Sequence, residues 1–87
     1  MDPEPHILVV DDENGPRQAL RMLLKEDYDV TVAVDMLSAL EVLDSTPIDL
    51  VISDIRMPRH TGVDLLQRIK ERYPDIQVIL LTGYGQL

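Results

Sequence analysis

The sequence predicts a single α/β domain built on a doubly wound parallel sheet with helices on both faces. Four short apolar runs rich in β-branched residues are separated by three segments in which apolar residues recur with helical spacing. Strand and helix therefore alternate along the chain. That order is satisfied by a parallel sheet with right-handed crossovers.

The four apolar runs contain few polar residues and are short enough to be strands. Runs of this kind are typical of parallel strands that are covered on both faces. We therefore predict four buried strands, at residues 7–10, 30–34, 50–52 and 76–81.

The segments between the strands carry apolar stripes at helical spacing. Pro16 suits the first turn of the first helix, Asp35 can cap the second, and Thr61 can start the third. The three predicted buried stripes are Ala19, Leu20, Leu23 and Leu24; then Leu37, Ala39, Leu40 and Leu43; then Val63, Leu66, Ile69 and Tyr73.

Composition narrows the class of protein. The chain has 87 residues, 45% of them apolar, without Phe or Trp, so one small core of aliphatic side chains and Met is expected. The absence of Cys excludes disulfides and thiolate metal sites. The net charge of -8 argues against direct contact with nucleic acid, because phosphates dominate that affinity.

The two ends of the chain predict its domain limits. Residues 1–5 contain two prolines and two acids, so we expect a disordered leader before a domain at residues 6–87. No signal peptide or long apolar run is found, which favours a cytoplasmic protein without membrane contact. Because no crossover follows the strand at 76–81, we expect a C-terminally truncated domain.

Acidic residues follow two of the predicted strands. Asp11 and Asp12 follow the first run, and Asp54 follows the third. The carboxyl ends of neighbouring parallel strands meet at one crevice, so these three carboxylates are expected to converge. Their mutual repulsion is relieved by protonation or by a hard cation. All-oxygen ligation favours Mg²⁺, with Mn²⁺ as the second candidate, over Zn²⁺.

Three motifs then stand in a characteristic order: Asp11-Asp12, Asp54-x-x-Met57-Pro58-x-x-x-Gly62, and Leu80-Leu81-Thr82-Gly83. From residue 6 to its end the chain closely resembles the response-regulator receiver domains of two-component signalling. Tyr84-Gly85 adds a weaker resemblance to receivers of the nitrogen-regulation class of transcription activators. The resemblance implies a flavodoxin-like sheet with strand order 2-1-3-4 and the family's fifth strand missing.

The same resemblance implies the chemistry. Asp54 would take a phosphoryl group from a histidine kinase and become an acyl phosphate, which switches an attached output domain, expected to be transcriptional. Asp12 would bind the metal directly and Asp11 directly or through water. The Asp54 carboxylate and the backbone carbonyl of Arg56 would complete the protein ligands.

Two further residues are implied to bind the phosphoryl group. Thr82 would donate its hydroxyl to a phosphoryl oxygen, and Gly83 its backbone N–H. A receiver of this kind catalyses its own phosphorylation and is not a turnover enzyme.

One departure from the family concerns a lysine. The family's site includes a Lys on the fifth strand, whereas the lysines here, Lys25 and Lys70, fall on the first and third predicted helices. We therefore expect the 87-residue chain alone to be phosphorylated poorly. The apolar strand at residues 76–81 would form a sheet edge, which predicts a homo-oligomer.

Several alternatives compete with the receiver interpretation. An aspartate-nucleophile phosphatase needs an acid two residues after the nucleophile, where Arg56 stands. Dinucleotide binding needs a glycine-rich loop that residues 11–15 do not offer. The serious rival is a non-signalling fragment that acts as an association or folding module.

Other residues near the predicted site carry weaker expectations. Asp11 and Asp12 could cap the first helix instead of, or besides, binding metal. Gly62 is expected to adopt a backbone conformation that side chains resist. His6 has no predicted partner, and His60 is expected to be solvated.

Overall fold

The computed structural model describes residues 4–57 and 59–81, in which a four-stranded parallel sheet has the order β2-β1-β3-β4. The doubly wound α/β class and the predicted strand order are confirmed. The elements in chain order are β1 (His6–Val10), α1 (Asn14–Leu24), β2 (Asp29–Ala33), α2 (Met36–Ser45), β3 (Leu50–Asp54), α3 (Gly62–Arg72) and β4 (Gln77–Leu81).

The strand register aligns the carboxyl ends of the two central strands. Val10, the last residue of β1, lies opposite Ser53 of β3. Asp54 lies opposite Leu81, the last residue of β4. The residues that directly follow β1 therefore reach the sheet edge at which Asp54 lies.

Successive side chains of β1 enter two separate apolar clusters, one on each face of the sheet. The larger cluster joins Leu8 and Val10 to α2 and α3, with members such as Leu43 and Leu65. The smaller one joins Val9 and its neighbours to partly buried residues of α1. The expected burial on both faces is confirmed for β1 and β3.

For the outer strands, the prediction of full burial is wrong. The residues of β2 are mostly half-buried, and in β4 the side chain of Ile79 is 46% exposed. Within the described ranges each of these strands pairs on one side only. Because each outer strand has a neighbouring strand on one side only, part of its apolar surface stays accessible.

In α2 and α3 the predicted stripes identify the helices but partly mistake the buried face. Met36 is buried in α2, whereas Leu37 is 58% exposed. Leu65 is buried in α3, whereas Val63 is 44% exposed. Because apolar residues occupy adjacent positions in both helices, helical spacing fits two neighbouring faces, and only packing against the sheet selects one of them.

In α1 the predicted stripe is less buried than expected. None of its residues is fully buried, and Leu23 is 73% exposed. Leu20 and Leu24 pack against the smaller cluster, so they carry the contact with the sheet.

The predicted helix starts are confirmed. Asp35 accepts a hydrogen bond of 2.8 Å from the backbone N–H of Ser38, and Thr61 Oγ1 accepts one of 3.2 Å from the N–H of Asp64. Pro16 lies in the first turn of α1. Of the helices in the described ranges, none has the length and apolarity needed to cross a membrane.

Candidate functional site

Three carboxylates converge at the carboxyl edge of the sheet, as predicted. Asp54 is the last residue of β3, and Asp11 and Asp12 directly follow β1. One oxygen from each carboxylate lies within 4.8 Å of the others. Oxygen atoms at this separation are close enough to share one cation.

Asp54 is a buried member of this acid cluster, and the residue is only 5% exposed. The backbone N–H of Arg56 donates a hydrogen bond of 3.3 Å to its Oδ1. This contact fixes one oxygen and brings the Arg56 backbone next to the cluster. The Arg56 side chain itself is exposed.

The Asp11 carboxylate is buried more deeply and is incompletely satisfied. The residue is 1% exposed, and its Oδ1 accepts a hydrogen bond of 2.9 Å from the Glu13 N–H. Its Oδ2 is buried without a hydrogen-bond partner among the described residues. Burial raises the pKa of Asp11, and the charges of Asp54 and Asp12 add to this effect, while the Glu13 N–H opposes it.

A divalent cation fits this donor set. An unpaired buried carboxylate oxygen is costly, and a positive ion would both bind it and screen the repulsion within the cluster. Three carboxylates supply hard oxygen ligands without nitrogen or sulfur, a set that suits Mg²⁺. The residues present therefore fit the metal that the sequence predicts.

Asp12 gives the cluster an open side. It is exposed and lines a groove of ≈ 370 Å³ together with five neighbours from both loops. The other lining residues are Glu13, Ile55, Arg56, Met57 and Thr61. A ligand can thus reach the acid cluster from solvent along the two loops.

The alternative that Asp11 and Asp12 cap the first helix is wrong. The N-cap residue of α1 is Glu13, and no side chain caps this helix end. The Asp11 carboxylate instead binds the N–H of Glu13 itself. Asp11 and Asp12 therefore contribute to the acid cluster without serving as the N-cap residue of α1.

The reason for glycine at position 62 differs from the expectation. Its φ lies outside the left-handed region, so the predicted unusual conformation is wrong. Gly62 instead approaches the end of β3 closely, and its N–H donates a hydrogen bond of 2.7 Å to the Ile55 carbonyl. Among the described residues of this loop, Arg59 has a left-handed backbone, with a φ of 68°. Pro58 lies outside the described residues.

Both histidines differ from their predicted settings. His6 Nε2 lies 2.7 Å from the Thr31 hydroxyl, so this ring does have a partner. His60 is half-buried. It lies near Asp35, whose pKa is lowered chiefly by hydrogen bonds from Ser38 and to a smaller extent by Arg59 and His60. The acid cluster contains neither histidine.

Arg17, which the sequence did not predict as a site residue, contacts the backbone of the cluster. Its Nη1 donates a hydrogen bond of 2.9 Å to the Asp11 carbonyl, and its Nη2 one of 2.9 Å to Asn14 Oδ1. The available signal was an Asn and an Arg one helical turn apart, directly after the acid pair.

The predicted phosphoryl-binding residues, Thr82 and Gly83, lie outside the described residues, as does Tyr84. Their roles stay predictions. The last described residues of β4 lie beside the site: Leu81 is opposite Asp54, and its carbonyl accepts a hydrogen bond of 3.0 Å from the Ile55 N–H.

The family is established by comparison with known proteins. The parallel sheet with an acid cluster at its carboxyl edge defines an α/β protein with a candidate metal site. A family model described as the response regulator receiver domain matches residues 7–87. The chain belongs to the response regulator receiver domain family. The resemblance seen in the three sequence motifs is thereby confirmed.

Curated relatives share the domain within longer proteins. The chain is 38% identical over 81 residues to the response regulator protein PilR of Pseudomonas aeruginosa, spanning 92% of this chain and 18% of that protein. It is 36% identical over 80 residues to the hydrogenase transcriptional regulatory protein HoxA of Bradyrhizobium diazoefficiens, spanning 16% of it. Against sporulation initiation phosphotransferase F of Bacillus subtilis the identity is 38%, over 66% of that protein.

Solved structures confirm the fold. The signal receiver domain of an HD domain-containing protein from Pseudomonas fluorescens matches 98% of this chain and 63% of its own, with a TM-score of 0.90 and 40% identity. The response regulator TrrA of Thermotoga maritima, solved in complex with Mg²⁺-BeF, matches 93% of this chain and 71% of its own, with a TM-score of 0.84 and 39% identity.

Proposed function

We propose that this chain is the phosphoacceptor part of a two-component signalling protein and takes a phosphoryl group onto Asp54 in the presence of Mg²⁺. The observation that carries the proposal is the acid cluster, in which the Asp11 Oδ2 is buried without a partner in the described chain. Membership of the receiver family supplies the class of reaction. The phosphodonor is a histidine kinase.

The metal ligands in this proposal are Asp11, Asp12, Asp54 and the backbone carbonyl of Arg56. Mg²⁺ keeps several water ligands in proteins, so a few carboxylates are sufficient to bind it. A bound ion would neutralise negative charge on the phosphoryl oxygens. The solved TrrA complex with Mg²⁺-BeF supports this choice of metal.

In the chemical step, an oxygen of the Asp54 carboxylate attacks the phosphorus and forms a new P–O bond. The bond between phosphorus and the donor breaks, and the donor leaves with its electron pair. Such a transfer depends mainly on alignment and charge stabilisation. The Arg56 N–H supports alignment by holding one Asp54 oxygen. Thr82 and Gly83 would bind the phosphoryl oxygens.

The output is proposed from the relatives. Several of them are transcriptional regulators that are much longer than this chain, which spans 16% of HoxA and 18% of PilR. We propose that phosphorylation switches an attached transcriptional output in the cytoplasm. Because the net charge of -8 argues against DNA contact by this chain, any DNA contact in this proposal is made by that other part of the protein.

A homo-oligomer is proposed from the sheet edge. Leu81 of β4 and Leu23 of α1 line one apolar groove with Pro16, Ala19 and Leu20. In the part of the chain that the structure describes, β4 pairs with β3 alone. Exposed apolar surface beside an unpaired strand edge favours association with a second copy.

The experiment that tests the phosphoacceptor role uses radiolabelled acetyl phosphate with Mg²⁺. We expect label on Asp54, at low occupancy, because neither Lys25 nor Lys70 matches the family's Lys. Asp54→Asn should abolish the label and Asp12→Ala should reduce it. Asp75→Asn, a surface carboxylate outside the acid cluster, serves as the matched control and should leave labelling unchanged.

Two results would change the interpretation. Label retained by Asp54→Asn would place the nucleophile elsewhere, with Asp12 the first candidate. In a version of the domain extended through the family's fifth strand and its Lys, binding of Mg²⁺ without any label would favour the rival function, a non-signalling association or folding module. Family membership makes that rival the weaker of the two.

A further inference from the structure

Arg17 ties the end of β1 to the start of α1. One guanidinium nitrogen donates to the backbone carbonyl of Asp11 and the other to the side-chain oxygen of Asn14, both at 2.9 Å. A guanidinium is planar and presents its donors in a fixed geometry. Binding both acceptors therefore fixes the position of residue 11 relative to the first residue of α1.

The segment from Asp11 to Asn14 carries two of the three carboxylates of the acid cluster. Asp12 contributes one carboxylate oxygen, and the Glu13 N–H holds the Asp11 Oδ1 at 2.9 Å. The direction of the unpartnered Asp11 Oδ2 therefore depends on where this short segment lies. A shift of the Asp11 backbone would move both carboxylates relative to Asp54.

We propose that Arg17 is a positioning residue for the acid cluster. Through the Asp11 carbonyl it holds residues 11–13 so that the Asp11 and Asp12 carboxylates face Asp54 in a geometry suited to a divalent cation. The inference rests on the proposed function, since it presumes that the cluster binds Mg²⁺. In the described structure Arg17 hydrogen-bonds no carboxylate of the cluster, so its action is on the backbone.

The loss of Arg17 would change Mg²⁺ binding in opposite directions, depending on whether its positive charge or its hydrogen bonds matter more. A guanidinium near the cluster repels a cation, so removing the charge alone would strengthen Mg²⁺ binding, and added salt would reduce the change. Loss of positioning would weaken Mg²⁺ binding, and the weakening would persist in salt. The sign of the change therefore separates a positioning residue from a nearby charge.

The experiment is calorimetric titration of Mg²⁺ into the 87-residue chain at low and high salt. We expect Arg17→Met to raise the Kd about three- to tenfold at both salt concentrations, the scale of one or two lost hydrogen bonds. Arg17→Lys should raise it similarly, because an ammonium keeps the charge without the planar pair of donors.

The matched control is Arg21→Met, one turn further along α1. Its side chain makes no hydrogen bond or ion pair with the described residues, so this variant removes the same charge without the bridge. We expect a Kd that is unchanged or slightly lower. A second test variant, Asn14→Ala, removes one anchor and leaves the guanidinium in place, and it should raise the Kd by a smaller factor.

Each result has a defined consequence. If Arg17→Met or Arg17→Lys binds Mg²⁺ as tightly as the wild type, or more tightly, the positioning role is wrong. If Arg17→Met does not fold, an unchanged Kd in Asn14→Ala overturns the role instead. A wild-type chain that binds no Mg²⁺ contradicts the proposed function and the positioning role together, whereas wild-type binding with unaffected variants contradicts the positioning role alone.

Discussion

Gly62 packs directly against the backbone of Asp54: a Cβ atom placed on Gly62 would lie 2.5 Å from the Asp54 carbonyl oxygen and 3.0 Å from the Ile55 Cα. These neighbours are backbone atoms, which cannot move aside as a flexible side chain could. The first turn of α3 and the end of β3 therefore approach each other at a distance that only glycine permits.

Gly62→Ala should accordingly lower the free energy of unfolding by about 1–3 kcal/mol, the usual range for overpacking a tight interior. It should also weaken Mg²⁺ binding, since relief of the clash displaces the backbone of Asp54. Urea unfolding followed by circular dichroism measures the first effect and calorimetry the second. Gly15→Ala is the control: its added Cβ meets no atom within 4 Å, and Ala should stabilise α1 slightly. Equal stability of Gly62→Ala and the wild type would show that the backbone around residue 62 can shift to make room for a Cβ atom.

Asp11→Asn should stabilise the metal-free protein at neutral pH. Burial and neighbouring acids raise the pKa of Asp11 in the folded state above its ordinary value of 3.8. Between the ordinary pKa and the raised folded-state pKa, Asp11 loses its proton in the unfolded chain but keeps it in the folded protein. The wild type therefore loses stability as pH rises through this window, until the folded-state pKa is passed. Asp11→Asn has no ionisable group at this position, so its stability does not fall in this way. Urea unfolding from acid to neutral pH should show its advantage growing across the window and then remaining constant.

Asp35→Asn provides the opposite case within the same measurement. Hydrogen bonds from Ser38 lower the pKa of Asp35 below 3.8 in the folded state. Its stabilising contribution is therefore present above that value and is lost as pH falls through the lowered pKa. The difference between the wild type and Asp35→Asn should shrink in acid. The same pH trend in both variants would contradict the assignment of opposite shifts.

Asp44 at the end of α2 should couple energetically to the end of α3. Its carboxylate accepts hydrogen bonds from the Tyr73 hydroxyl and from Arg72, the latter at 2.6 Å. These contacts lower the pKa of Asp44 and raise that of Tyr73. Tyr73→Phe and Asp44→Ala should each lower the urea midpoint.

The double variant tests whether Asp44 and Tyr73 act as a pair. Combining the two changes should lower the midpoint by less than the sum of the single effects, because each single change already removes the shared hydrogen bond. Additive effects would mean that the contact contributes nothing to stability in solution.

The chain should self-associate through its apolar groove at high micromolar concentration. Leu23 is 73% exposed at this groove, so Leu23→Glu should shift the population toward monomer. Val63→Glu, which places the same charge on α3, is the matched control and should not change the distribution. Light scattering during size exclusion measures both. A monodisperse wild-type monomer with cooperative unfolding would contradict this prediction.

The order of elements and the acid cluster were predictable because their signals are local. Apolar spacing identifies each strand and helix, and the end of a strand locates Asp54 regardless of side-chain packing. The buried side of α2 was not predictable, since Met36 and Leu37 are both apolar and the sheet alone selects between them. Arg17 was also missed, because the spacing of Asn14 and Arg17 indicates at most their own contact, whereas the hydrogen bond to the Asp11 carbonyl depends on the path of the chain.

The central position of β1 links the assembly of the site to the order of folding. During synthesis β1 emerges first, yet its partner β3 emerges only after α1, β2 and α2. Contacts between segments so distant in sequence form late, because the chain between them must first be closed into a loop. Asp11 directly follows β1, and Asp54 is the last residue of β3. The Asp54 carboxylate is therefore kept apart from the Asp11-Asp12 pair until β1 and β3 join, and the repulsion between them opposes the same step that buries the core.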